Sequence, residues 1–109
     1  MHERATLRRR LEELKRVLQQ NDEGWYAGHV ENALSGPEED FLAFLVSNEL
    51  WGGAGSIADQ AGVEQGREVR RLIEAALIEA GKEQIQSGLV NPRTTMWVDA
   101  FQQWQRDGI

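Results

Sequence analysis

Apolar residues recur every three or four positions along most of this chain, which is the period of an α-helix. The clearest series is Leu7, Leu11, Leu14 and Leu18. No segment alternates apolar and polar residues in the way of a half-buried β-strand. Capping residues, prolines and glycines divide the pattern into helices predicted over residues 4–19, 23–34, 38–49, 57–61, 64–86 and 92–107.

This pattern predicts an all-α fold, built as a compact single-domain bundle. We expect about five helices, with one short extra helix after a glycine-rich loop. The helix over 38–49 is the most apolar, so we expect it at the centre of the bundle. Leu72 and Met96 belong to apolar stripes and are expected in the core. Gly108 is expected to end the last helix in the left-handed conformation, with Ile109 folding back.

The size and composition of the chain limit its class. Its 109 residues suit one domain, residues 1–109, that buries a core without disulfides or metals. It contains no cysteine, which excludes thiolate catalysis and fits a reducing compartment. No apolar run approaches the ~20 residues of a membrane span, and residues 1–10 lack the apolar stretch of a signal peptide. We therefore expect a cytoplasmic protein with no membrane partner.

The charges are distributed unevenly, and the formal net charge is -6. Residues 1–20 carry six basic and three acidic side chains, whereas residues 21–66 carry nine acidic side chains and no lysine or arginine. Two interpretations stay open. Either the basic first helix packs beside the acidic segments and partly neutralises them, or the acidic segment forms a face for a basic protein partner. The negative charge argues against a nucleic-acid partner, because phosphate binding needs a positive face.

The candidate interface residues lie in the acidic segment and are Trp25, His29, Glu31, Glu38, Glu39 and Asp40. Trp25 is at the edge of its helix's apolar stripe, and aromatic side chains concentrate in protein interfaces. A histidine near carboxylates also suits a metal ligand, but a metal site needs three or four ligands and the chain has two histidines. The three adjacent acids favour the positive end of a helix. We expect no metal and no cofactor.

Residues 50–59, LWGGAGSIAD, place three glycines and a tryptophan between two predicted helices. Glycines allow unusual backbone angles or a close approach to a neighbouring helix or a ligand. Residues 53–58 match the dinucleotide fingerprint G-x-G-x-x-A, but a helix precedes them where the fingerprint requires a strand. The segment is either a packing turn with its tryptophan in the core or a binding loop. The candidate binding-loop residues are Trp51, Gly52, Gly53, Gly55, Ser56 and Asp59.

Two features together resemble a group of small bacterial helical proteins. One is a tryptophan-bearing second helix followed by the segment FLAFL at 41–45, and the other is the block WGGAGSIAD at 51–59. The group has a Gly-Gly-x-Gly-Ser segment after a helix, followed by an apolar residue and an acid. The resemblance covers roughly residues 5–60. It implies a helical fold, and since the group has no assigned activity it implies no functional residue.

No catalytic signature stands elsewhere in the chain, so we expect a protein that is not an enzyme. The first hypothesis is a bacterial protein that acts by binding another protein through an acidic central surface, residues 22–59, as a regulator, adaptor or immunity-like protein. The alternative is a small-ligand or anion-binding module with its site at residues 51–59, roofed by aromatic side chains of the last helix. Either a monomer or a homodimer through the leucine stripe of the first helix is compatible with both.

Overall fold

A computed structural model describes residues 2–108 of the chain, with side chains from residue 4 onward. These residues form six α-helices, one 3-10 turn and no strand. The helices are α1 His2–Gln20, α2 Gly24–Ser35, α3 Glu38–Leu45, α4 Ile57–Gln60, α5 Arg67–Ser87 and α6 Thr94–Asp107, and the 3-10 turn is Val63–Gln65. The predicted all-α fold is confirmed, although the described helices number six rather than about five.

Helices α1 and α5 form the centre of the structure. Helix α1 packs against both α2 and α5, and α5 packs in turn against α6. All four leucines of the predicted α1 stripe are fully buried: Leu7, Leu11, Leu14 and Leu18. They face Val30 of α2 and apolar residues of α5 within one continuous core. Burial of four leucine side chains is worth several kcal/mol of hydrophobic free energy, so this stripe is a principal source of stability.

The central position expected for the helix over 38–49 is wrong. Helix α3 ends at Leu45, after eight residues, and packs chiefly on α2. The chain leaves the helix because Ser47 turns back onto Phe44, whose carbonyl accepts from both the amide and the hydroxyl of Ser47. The apolar residues of the helix itself are in the core, since Phe41 and Leu45 are fully buried. Val46, which follows the helix, is exposed.

Two side chains expected in the core lie outside it. Leu72 and Met96 are more than half exposed, because the contact faces of α5 and α6 are narrower than the apolar stripes in their sequences. Gly108 ends α6 with a φ of 73°, which confirms the left-handed helix end. The expected fold-back of Ile109 lies outside the described residues. No described helix combines the length and apolar character that crossing a membrane requires.

One glutamine joins three segments of the core. Gln84 of α5 is fully buried, and its side-chain Oε1 accepts from Trp51 Nε1 at 2.9 Å. Its Nε2 donates to the carbonyl of Leu45 at 2.7 Å and to that of Leu89 at 2.8 Å. The amide thus satisfies the end of α3, the buried tryptophan and the turn after α5. Buried polar groups without such partners are costly, so this amide fixes where the chain after α3 crosses α5.

A close approach of α5 and α6 surrounds the same tryptophan. A Cβ atom placed on Gly81 of α5 would lie 2.4 Å from Val98 Cγ2 and 3.2 Å from the ring of Trp51. Only a residue without a side chain admits this packing. The indole of Trp51 therefore fills the space that a glycine in α5 leaves open.

Asn91 makes the second polar link to the chain after α3. Its Nδ2 lies within hydrogen-bonding distance of the carbonyls of Val46, Ser47 and Trp51, at 3.3, 3.1 and 3.0 Å. Its Oδ1 accepts from the amide of Thr94 at 3.1 Å, at the first residue of α6. Helix α6 begins at Thr94, two residues after the predicted start at 92, so Asn91 lies outside the helix and bonds its first amide from there. The same side chain ties the start of α6 to the loop.

A buried ion pair lies nearer the start of α5. Glu74 is 4% exposed, and its Oε2 accepts from Arg70 Nε at 2.9 Å. The guanidinium of Arg70 also donates to the carbonyls of Ala58 and Ala61. Burial raises the pKa of Glu74 above its usual value of 4.5, while the charge of Arg70 opposes the increase. Arg70 therefore holds α4 against α5. Glu74 orients the guanidinium of Arg70, although burying its carboxylate costs electrostatic free energy.

We expect Gln84→Ala to lower the free energy of unfolding by about 3 kcal/mol, because it leaves an indole N–H and two carbonyls without partners in the core. Urea unfolding followed by circular dichroism measures this change. Gln86→Ala is the matched control, since Gln86 is exposed on the same helix, and its effect should stay within about 0.5 kcal/mol. Equal effects of the two substitutions would contradict the role given to Gln84.

The raised pKa of Glu74 predicts a pH dependence of known sign. The folded state holds the carboxyl proton more tightly than the unfolded chain, so the stability of the wild type relative to Glu74→Gln falls as pH rises from 4.5 through the folded pKa. Urea unfolding of both proteins between pH 4 and pH 7 measures the difference. A difference that grows in favour of the wild type over this range would show that pairing with Arg70 outweighs burial.

Candidate functional site

Helix α1 neutralises part of the acidic segment. Arg4 and Arg8 both form ion pairs with Glu38, and Lys15 pairs with Glu31 at 2.6 Å. Hydrogen bonding from Arg8 lowers the pKa of Glu38, and hydrogen bonding from Lys15 lowers that of Glu31. The interpretation in which the basic first helix packs beside the acidic segments is confirmed for these two carboxylates. Both carboxylates already bind cations of α1, so they are poor candidates for binding a second cation.

The remaining acids of the segment are not neutralised by a lysine or arginine. Within residues 4–108, six of them form no ion pair with lysine or arginine: Asp22, Glu23, Glu39, Asp40, Asp59 and Glu64. Glu49 pairs only with a histidine, its Oε2 lying 2.9 Å from His29 Nδ1. Neutralisation by α1 is therefore one-sided. It leaves uncompensated negative charge on the surface that α2 turns toward α3 and α4.

Trp25 lies exposed on this surface. Its side chain is 70% exposed, and its ring meets that of His29 edge-to-face at 4.4 Å between centroids. It also contacts Tyr26 at 5.0 Å, again nearly perpendicular. The two neighbouring rings limit the positions the indole can take. An exposed, partly immobilised indole presents a large apolar area at low entropic cost, which is typical of interface anchors.

A groove of about 360 Å³ lies between α2 and α3, and we name it the acidic groove. Its lining residues are His29, Asn32, Ala33, Asp40, Ala43, Phe44, Ser47 and Glu49. Ala33 and Phe44 are buried and form its floor, while Asn32, Asp40 and Glu49 are exposed at its rim. The groove therefore combines an apolar base with oxygen acceptors at its mouth.

Two smaller depressions continue the groove along α2. The first, of about 40 Å³, shares His29 and Glu49 with the acidic groove and adds Trp25. The second, of about 150 Å³, shares Tyr26 with the first and adds Glu23 and Glu64. The three depressions together form one face, which we name the α2 face.

The negative charge near the α2 face affects the pKa of Tyr26. Burial raises the pKa of its phenol, and the charges of Glu23, Asp59 and Glu64 raise it further. Negative charge opposes the formation of a phenolate, so three carboxylates act together at this point. The α2 face is therefore a region of negative potential at its α4 side as well as in the acidic groove.

The predicted interface residues separate into three sets. Trp25, His29 and Asp40 belong to the α2 face. Glu31 and Glu38 are held by α1, and Glu39 is exposed at the start of α3 without lining any of the three depressions. The structure thus brings together half of the predicted set.

Three polar residues that line the acidic groove were not among the predicted site residues: Asn32, Ser47 and Glu49. Asn32 lies three positions after His29, a spacing that places both on one side of α2 and could have indicated it. Ser47 and Glu49 carried no such signal, because both lie in the turn after α3, where a continuous helix was expected.

The glycine-rich loop is mostly a packing element. Trp51 and Gly52 are buried, as is Ser56, while Gly53 and Asp59 are half-buried and Gly55 is exposed. The role of Trp51 as a core residue is confirmed by its complete burial. From α6, Trp97 Nε1 donates to the carbonyl of Gly52 at 3.0 Å, so an aromatic side chain of the last helix does contact the loop.

The amides of residues 55–59 in this loop already have acceptors. The N–H groups of Gly55 and Asp59 donate to side chains, to Asp59 Oδ2 and Ser56 Oγ. Those of residues 56, 57 and 58 donate to the carbonyls of Gly53, Glu49 and Leu50. Five consecutive amides are thus engaged within the loop. The predicted binding loop stays a prediction, and these amides give an anion no free donors.

One basic side chain approaches the loop from outside its own sequence neighbourhood. The Nη1 atom of Arg93 would lie 3.0 Å from a Cβ atom placed on Gly53. No lysine or arginine lies within ten residues of Gly53 in the sequence, so only the fold could reveal this cation.

Comparison of the chain with protein-family models, curated proteins and solved structures finds no match. Function is therefore argued from the site alone. Among the described side chains, no group of three histidines or carboxylates converges in a way that could hold a metal ion.

Two glycines of the loop allow a test of its packing role. A Cβ atom at Gly52 would lie 2.1 Å from the carbonyl oxygen of Asn48, so we expect Gly52→Ala to cost about 3 kcal/mol of stability. Gly55 is the comparison, because its φ of 89° disfavours alanine by about 1–2 kcal/mol although the space around it is open. Thermal unfolding of both variants measures which substitution lowers the stability more. A larger loss for Gly55→Ala would contradict the packing role of Gly52.

Proposed function

We propose that this is a non-enzymatic bacterial cytoplasmic protein that binds a basic protein partner through the α2 face, as a regulator, adaptor or immunity-like protein. The observation that carries the proposal is the position of Trp25. A 70% exposed indole lines the same depression as Glu49, a carboxylate that has no lysine or arginine partner. An aromatic anchor surrounded by charge of one sign is typical of interfaces in which charge guides encounter and the aromatic contact holds the complex.

The distribution of charge supports a partner from outside the chain. Helix α1 supplies basic residues to the acidic segment, but its pairs end at Glu31 and Glu38. The carboxylates of the α2 face form no ion pair with a described lysine or arginine, and the resulting negative potential raises the local concentration of a positively charged partner. The homodimer predicted through the leucine stripe of α1 does not fit the structure, because those four leucines are fully buried within the core of one chain.

A small-ligand or anion site at residues 51–59 is the second candidate, and one observation favours it. Arg93 brings a guanidinium beside Gly53. The engaged amides of residues 55–59 count against it, because an anion would have to displace bonds that the loop already makes. The protein-binding proposal needs no such rearrangement.

Affinity capture of the tagged protein from its own cell lysate tests the proposal. At low salt we expect one enriched basic protein, and at moderate salt its recovery should fall because screening shortens the range of charge attraction. Trp25→Ala should weaken the complex about tenfold, since truncation of an interface anchor commonly costs 1–2 kcal/mol or more.

Met96→Ala is the matched control for that experiment. Met96 is also an exposed apolar side chain, but it lies on α6 and lines none of the three depressions. We expect the Met96→Ala variant to capture as much of the partner as the wild type does. A partner that is retained by Trp25→Ala and whose recovery does not depend on salt would refute binding through the α2 face.

A further inference from the structure

We infer that the acidic groove receives an arginine side chain of the partner protein, with the guanidinium between Asp40 and Glu49. This inference rests on the proposed function, because it specifies the chemistry of the basic partner. It is independent of that function in one respect: a basic partner could also be held by diffuse charge, without any side chain entering the groove.

The shape of the acidic groove suits a long side chain with a charged end. Its floor is formed by Ala33 and Phe44, both less than 8% exposed, so an aliphatic stem would lie on apolar atoms. Its rim carries the carboxylates, so the charged end would stay at the mouth, close to solvent. Arginine and lysine side chains distribute themselves between apolar surface and water in this way.

The acceptors at the rim favour arginine over lysine. Asp40 comes from the first turn of α3 and Glu49 from the turn after α3, so the two carboxylates reach the groove from different segments. Asn32 of α2 adds an amide oxygen, and Ser47 adds a hydroxyl oxygen. A guanidinium has five N–H donors in a planar fork and can bond two carboxylates at once, whereas an ammonium is a compact point charge.

The carboxylate of Glu49 is held ready for such a contact. His29 Nδ1 lies beside Oε2, and no described group bonds Oε1. The backbone of Glu49 is fixed as well, because its carbonyl accepts from the amide of Ile57 at 2.8 Å. The groove therefore needs little rearrangement to bind a cation, which reduces the entropic cost of binding.

Trp25 extends the contact beyond the groove. It lines the neighbouring depression, which shares both His29 and Glu49 with the groove. A partner segment with its arginine in the groove would cover the indole with the residues next to that arginine. Glu49, which lines both depressions, thus joins the charged and the apolar parts of the α2 face.

Two peptides of equal charge test the inference: hexa-arginine and hexa-lysine, measured by titration calorimetry at low salt. We expect hexa-arginine to bind about tenfold more tightly, because the planar fork of a guanidinium can bond two carboxylates at once, whereas an ammonium acts as a point charge. Asp40→Asn and Glu49→Gln should each remove this preference. Glu39→Gln is the matched control, since it removes one charge from the same turn of α3 but outside the groove, and it should keep the preference.

Each other outcome has a defined meaning. If both peptides bind equally and Glu39→Gln weakens binding as much as Asp40→Asn, the attraction is diffuse; the inference fails and the proposed function stands. If neither peptide binds and lysate capture yields no basic partner, both fail. If arginine amide alone binds as tightly as hexa-arginine, the groove is a small-molecule site and the inference is overturned.

Discussion

The hydrogen bonds of the Gln84 side chain are the constraint on which the rest of the structure depends. This amide is buried in α5 and bonds the indole of Trp51, the last carbonyl of α3 and the turn after α5. Together with the bonds of Asn91 to the same segment, it fixes the place of the chain between α3 and α4 on the core. Because buried polar groups need partners, the amide selects one path for that chain among those that apolar packing alone would tolerate. The glycine at 81 then allows the indole to approach.

This packing determines where the negative charge of the chain is exposed. Helix α1 lies beside one edge of α2 and neutralises Glu31 and Glu38. The turn after α3 returns past the other edge of α2 and carries Glu49 to His29. The acids on that second edge have no basic helix beside them. Uncompensated charge on the α2 face is therefore a consequence of the order in which the helices pack, and not of composition alone.

Sequence patterns predicted the positions of the helices better than the way in which the helices pack against one another. The leucine series located the buried side of α1, because only one helix face could bury all four. The helix over 38–49 was extended too far, since its apolar residues continue to Val46, whereas Ser47 ends it through bonds to Phe44. The acidic groove could be predicted only in part. His29 and Asp40 were chosen for their chemistry, but Glu49 reaches them through a turn that local periodicity does not describe.

The glycine-rich loop and the acidic groove are two parts of one arrangement. The loop was the most unusual sequence feature, and its glycines serve packing at Gly52, where a side chain would strike the carbonyl of Asn48. Yet its first residues precede α4, whose opening amide bonds the carbonyl of Glu49. The segment thus fixes the backbone of Glu49, a residue that lines the groove, without lining the groove itself. An unusual backbone segment can therefore position residues beside it, while the amides of residues 55–59 are used within the fold.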